Sequence, residues 1–128
     1  MTERDLIQTA LEVRSKAYAP YSNFKVGASI LTESGDLYVG CNVENSSYGL
    51  SICAERHAIG TMVADGNTKI AKIVVAASPL ASPCGACRQF IVEFGTDIEI
   101  VSVNADQIDE IRHWNIGELI PDHFRFNN

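Results

Sequence analysis

The stretch "IAKIVVAA", residues 70–77, constrains the fold most. A single lysine interrupts the apolar run, so a strand here has no solvent-facing side and must be covered on both faces. In a chain of 128 residues that requires helices above and below a sheet. The remaining sequence supplies them. Thr2 is placed to cap a first helix in which Leu6, Ile7, Ala10, Leu11 and Val13 or Ala17 form an apolar stripe, and Pro20 ends it. Residues 24–32 ("FKVGASILT") and 37–45 ("LYVGCNVEN") read as strands, joined into a hairpin by Ser34-Gly35-Asp36. Ser51 is the expected cap of a second helix over residues 53–64, closed by Asp65-Gly66, with Ala54, Ala58, Ile59, Met62 and Val63 buried.

Ser82-Pro83 reads as cap and first turn of a third helix that Gly95 stops, with Cys87, Phe90, Ile91 and Phe94 as its apolar stripe. Residues 98–103 form another strand and residues 108–114 a weaker edge strand. Asn115 and Glu118 make a capping box for a short last helix ended by Pro121. This order predicts an α/β fold: a three-layer α-β-α sandwich on a mixed sheet of about five strands, with residues 1–128 as a single domain.

Charge narrows the function. Sixteen acidic against ten basic residues give a formal net charge of −6, which disfavours nucleic acid or an anionic membrane as partner. The N-terminal segment, with Glu3, Arg4 and Asp5, lacks the apolar core of a secretory signal, and no apolar run is long enough to span a bilayer. The expected location is cytoplasmic, where thiols stay reduced, so four cysteines read as metal-binding or catalytic.

Three of those cysteines fit a metal centre. Cys84 and Cys87 stand three apart, within reach of one side of a helix's first turn, and Cys53 opens the other helix. Zinc on three protein ligands keeps a fourth position for water, whereas a fourth thiolate from Cys41 would make the site structural. Glu55, two residues from Cys53, is harder than a thiolate site requires but close enough to move protons, which assigns it the general acid–base role. Three thiolates leave a divalent ion net negative. The two helix N-termini and Arg56, donating to the thiolates, would offset that charge. The alternatives are buried apolar cysteines, a solvated first-turn carboxylate for Glu55 and a surface ion pair for Arg56.

"CAE" at residues 53–55 with "PCGAC" at 83–87 resembles the zinc-dependent cytidine deaminases, whose signature includes a glutamate that is not a ligand. "YAPYSNFKVGA", "GCNVENSSYGL", "SPCGACRQ" and "GELIPDHF" extend the likeness over residues 18–124, in the short, single-domain, three-cysteine form. The resemblance implies hydrolytic deamination of cytidine and deoxycytidine in pyrimidine salvage, with a zinc-bound hydroxide attacking C4 and Glu55 as proton shuttle. A related nucleoside or nucleoside antibiotic remains the alternative substrate. It further implies that Asn42 and Glu44 bind the ribose 3′-OH, that Phe24 stacks on the base and Phe124 closes the pocket, and that backbone groups around Ala54 and Ser82 read the pyrimidine edge. Finally, it implies a homotetramer with Ser47 and Tyr48 near a neighbouring active site. Strand alternation would put Asn42 and Glu44 on one face and Cys41 on the other.

Overall fold

The computed structural model describes residues 1–126. Five strands, β1 (Gly27–Thr32), β2 (Leu37–Cys41), β3 (Ile70–Ala77), β4 (Glu99–Asn104) and β5 (Gln107–Asn115), form a sheet in the order β2-β1-β3-β4-β5. The β3–β4 pair is parallel and the others antiparallel, so the sheet is mixed. The central apolar strand is divided between two cores. Ile73 and Val75 point into a cluster with α2 (Ala54–Ala64), α3 (Gly85–Val92) and α4 (Ile116–Leu119), while Val74 and Ala76 pack with Leu6 and Ala10 of α1 (Glu3–Arg14). This is the three-layer sandwich predicted from the sequence.

Two glycines set the spacing between layers. A Cβ at Gly27 would lie 2.1 Å from the Ala10 carbonyl oxygen, and one at Gly40 would lie 2.4 Å from the Ala58 nitrogen. The backbone of α1 therefore rests on β1 and that of α2 on β2, closer than any side chain would allow.

Thr2 caps α1 as expected, with Asp5 completing a capping box, and the expected box forms at Asn115 with Glu118. Other boundaries shift. The first helix stops at Arg14, well before Pro20, because the following chain is drawn off to bridge Val43: Tyr18 N–H donates to the Asn42 carbonyl and Glu44 N–H to the Tyr18 carbonyl. The hairpin strands are shorter than 24–32 and 37–45. Beyond Gly27 and Cys41 one backbone bond remains, Asn42 N–H to the Val26 carbonyl at 3.2 Å, and the Asn42 side chain adds two more, accepting from Val26 N–H and donating to the Phe24 carbonyl, both at 2.8 Å. The segment 108–114 does lie in an edge strand, β5, whose residues are exposed or half-buried. Val63 and Phe90, expected inside, are exposed.

Candidate active site

The three thiols meet where two helices begin. Cys53 and Cys84 are themselves the N-cap residues of α2 and α3, with extended backbone (ψ 156° and 167°), and Cys87 sits buried in the first turn of α3. The caps are not Ser51 and Ser82. Both serine hydroxyls are engaged elsewhere: Ser51 accepts from Asn45 N–H and Ser82 from the Arg88 guanidinium. Placing a thiol at each cap aims the partial positive end of the helix at the sulfur. The Sγ atoms of Cys53, Cys84 and Cys87 lie within 4.8 Å of one another.

The donor set fits zinc. Tetrahedral Zn–S bonds of about 2.3 Å put neighbouring sulfurs about 3.8 Å apart, and Cys53 and Cys84 stand at 3.8 Å. Cys41 is outside the triad; its N–H donates to His57 Nδ1 at 3.1 Å. Arg56 Nη2 donates to Cys53 Sγ at 3.6 Å and to the Ser51 carbonyl at 3.4 Å, while its buried Nε has no partner among the described residues. The Cys53 thiol is pulled down to about 5, chiefly by its hydrogen bond to Cys87 and with help from Arg56 and Cys84, against the opposing effect of burial. Cys87, the other member of that pair, is pushed up by the same bond and by burial. A divalent cation held by the three sulfurs would stabilise thiolate charge beyond that at Cys53.

Glu55, in the first turn of α2, is only 4% exposed. Burial raises its carboxyl to about 6, and the negative charge at Cys53 pushes the same way. A carboxyl that titrates near neutrality can both give and take a proton.

A cleft of about 270 Å³ opens beside this group, near the lower end of small-molecule sites. Glu55, Cys53 and Cys84 form its base; Phe24, Asn42, Glu44, Ala54 and Ser82 line the rest. Glu44 is held ionised by the Ser22 hydroxyl and by the Tyr21 and Ser22 N–H groups, which outweigh partial burial. Asn42 reaches the cleft although β2 has already ended, so side-chain bonding rather than strand alternation places it there.

Neither Tyr48, expected beside a neighbouring active site, nor Phe124 lines this cleft. Tyr48 lines an adjoining pocket with Tyr21, Ser22 and Glu44, and Ser47 lies exposed beside it. Phe124 is 69% exposed and stacks edge-on with Phe126 over the end of α3, away from the cleft. Residues 122–126 form no helix or strand that would carry Phe124 back across the cleft. Val26, Ile52, Ser51 and Ala81 also line the cleft. Their sequence signal was only proximity to the motifs.

The family described as "Cytidine and deoxycytidylate deaminase zinc-binding region" matches residues 1–103, a span that contains all three thiols and Glu55. A cytidine deaminase of Sporosarcina psychrophila is 39% identical over 129 aligned residues, covering 97% of this chain and 92% of that protein. The crystal structure of cytidine deaminase from Burkholderia pseudomallei superposes with a TM-score of 0.91 at 46% identity, covering 97% of this chain and all of that one. That from Mycobacterium tuberculosis gives 0.82 at 33% identity, covering 98% of this chain and all of that one. A thiol triad sized for zinc, a buried carboxyl beside it and likeness along nearly the whole chain lead to one conclusion: the chain belongs to the zinc-dependent cytidine deaminase family.

Proposed function

We propose that this chain hydrolyses cytidine and deoxycytidine to uridine and deoxyuridine, releasing ammonia. The observation that carries the reading is Glu55, buried and neutral or ionised near pH 6, opening onto the same cleft as the thiol triad, Phe24, Asn42 and Glu44. Cys53, Cys84 and Cys87 would hold zinc, whose Lewis acidity lets water act as a nucleophile near neutral pH. The chain's own groups do the remainder. Phe24 offers an aromatic face to the base, and Ala54 and Ser82, which line the cleft, supply backbone groups to read the pyrimidine edge. Asn42 and the ionised Glu44 take the sugar hydroxyls. Glu55 takes one proton from the attacking water and gives it to ring N3, then takes the second from the new C4 hydroxyl and gives it to the departing amine, ending in the state in which it began. Arg56 offsets thiolate charge through Cys53 and so preserves the acidity of the centre.

The assembly reading is a homotetramer, supported by the apolar side chains exposed beside the cleft, Tyr48 and Leu50 among them. Free thiols at all four cysteines suit a reducing, cytoplasmic setting. No helix among the described residues is long and apolar enough to cross a membrane.

The test is loss of ultraviolet absorbance at the cytidine band when purified, zinc-loaded protein is added. Turnover that disappears with a chelator and returns with zinc supports the reading. A protein that binds zinc stoichiometrically and leaves cytidine intact overturns it.

A further inference from the structure

Phe24 and Glu44 reach the cleft from separate segments, yet one hydroxyl touches both. Ser22 Oγ donates to Glu44 Oε2 and accepts the Phe24 N–H at 3.0 Å. Glu44 Oε1 in turn accepts the Tyr21 and Ser22 N–H groups at 3.0 and 3.1 Å. On the far side of the same residue, Asn42 Nδ2 donates to the Phe24 carbonyl at 2.8 Å. The backbone of Phe24 is thus held at its N–H by the partner of one sugar-directed side chain and at its carbonyl by the other. Between Ser22 and Phe24, Asn23 adopts φ 60°, the left-handed region that non-glycine residues enter only when neighbouring bonds hold them there.

We propose that Ser22 is a positioning residue that makes base recognition and sugar recognition one preorganised unit. The proposal rests on the reading of Glu44 as the sugar-binding carboxylate. Removing the hydroxyl releases Glu44 Oε2 and the Phe24 N–H together. Ser22 is exposed, so water replaces both bonds and folding is little affected. Both groups must then be ordered by the substrate when it binds. That cost falls on affinity, while Glu55 and the thiol triad, held by α2 and α3, keep the chemical step.

Steady-state kinetics on cytidine with zinc-loaded parent, Ser22→Ala, Ser22→Thr, Glu44→Ala and the Ser22→Ala/Glu44→Ala double variant tests this, with a thermal midpoint for each. Ser22→Ala is expected to raise KM about tenfold, as for loss of a hydrogen bond to a charged group, with kcat within about twofold and the midpoint in place. Ser22→Thr keeps the hydroxyl and returns KM to about the parental value. In the Glu44→Ala background, Ser22→Ala adds clearly less than its effect in the parent, because only the Phe24 N–H bond is then left to lose. Parental KM in Ser22→Ala, with KM raised in Glu44→Ala, overturns the coupling and leaves the sugar reading standing. Parental KM in Glu44→Ala overturns both. Effects that multiply in the double variant, or a Ser22→Ala variant that loses zinc or melts early, also overturn the positioning role.

Discussion

Glu55 occupies a position where burial and charge work against its ionised form. At 4% exposure, with the Cys53 thiolate nearby, its carboxyl rises to about 6 from an ordinary value of 4.5. Glu55→Gln keeps the shape and removes the proton transfer. Turnover is expected to fall by about 10² to 10⁴, the usual contribution of a positioned acid–base group, with zinc content unchanged. Kinetics paired with metal analysis check it; a variant within tenfold of the parent would return Glu55 to a structural role. The same substitution probes stability. Because the folded pKa is raised, the favourable contribution of the neutral acid is complete below about pH 4.5 and is lost as pH rises through about 6. Above that, the folded chain buries a charge at a cost of about 2 kcal/mol. Chelator-treated Glu55→Gln should therefore be more stable than the chelator-treated parent at pH 8 and converge with it near pH 4, as urea midpoints will show. The thiol cluster and the carboxyl beside it were legible in "CAE" and "PCGAC" because zinc chemistry dictates ligand type and spacing. Sequence could not show that Phe124 lies away from the cleft, since nothing in "FRF" fixes where residues 122–126, which form no helix or strand, dock.

At the scale of elements, the cap at Thr2, the capping box at Asn115 and the buried strand β3 could be read directly, because each is a local or periodic signal. The starts of α2 and α3 could not. Serine is the better intrinsic cap, yet Ser51 and Ser82 bond elsewhere and the thiols sit at the caps. The strand ends were obscured for a similar reason: the Asn42 side chain bonds the backbone where the ladder ends, and sequence alternation does not show this. The contact between β2 and α2 carries its own prediction. A methyl at Gly40 meets the Ala58 nitrogen at 2.4 Å and the Ala54 carbonyl at 2.7 Å, both backbone atoms that cannot rotate away. Gly40→Ala is expected to destabilise by about 1–3 kcal/mol. It should also lower kcat by up to about a hundredfold, because α2 carries Glu55 and begins at Cys53. Gly60→Ala, in the same helix but with nothing within 4 Å of the added carbon, should instead stabilise by about 1 kcal/mol without changing kcat. Thermal melts and turnover measured on both variants check the pair; equal effects would show that helix composition, and not the close approach, governs.

The whole molecule leaves a surface that one chain does not cover. Tyr18, Tyr21, Tyr48 and Leu50 are between 51% and 73% exposed, and Tyr21 meets Tyr48 edge-on. Several large apolar side chains exposed on neighbouring segments mark an interaction face. It adjoins the cleft through Tyr21, Tyr48 and Glu44, so covering it with another copy would also finish the wall of the site. Phe90 and Val63, exposed on α3 and α2 where apolar periodicity predicted burial, fit the same account, because periodicity reports that a face is buried and not by what. Light scattering should therefore give a particle about four times the 14.0 kDa of one chain. Leu50→Asp places a charge on that face, distant from the folded core, and should shift the particle toward smaller species while leaving circular dichroism unchanged. If assembly completes the cleft, the dissociated variant must also show a raised KM that falls again as protein concentration increases and the assembly re-forms. A Leu50→Asp protein that runs as a single chain and turns over cytidine with the parental KM would separate assembly from the site, and would leave each chain with a finished pocket of its own.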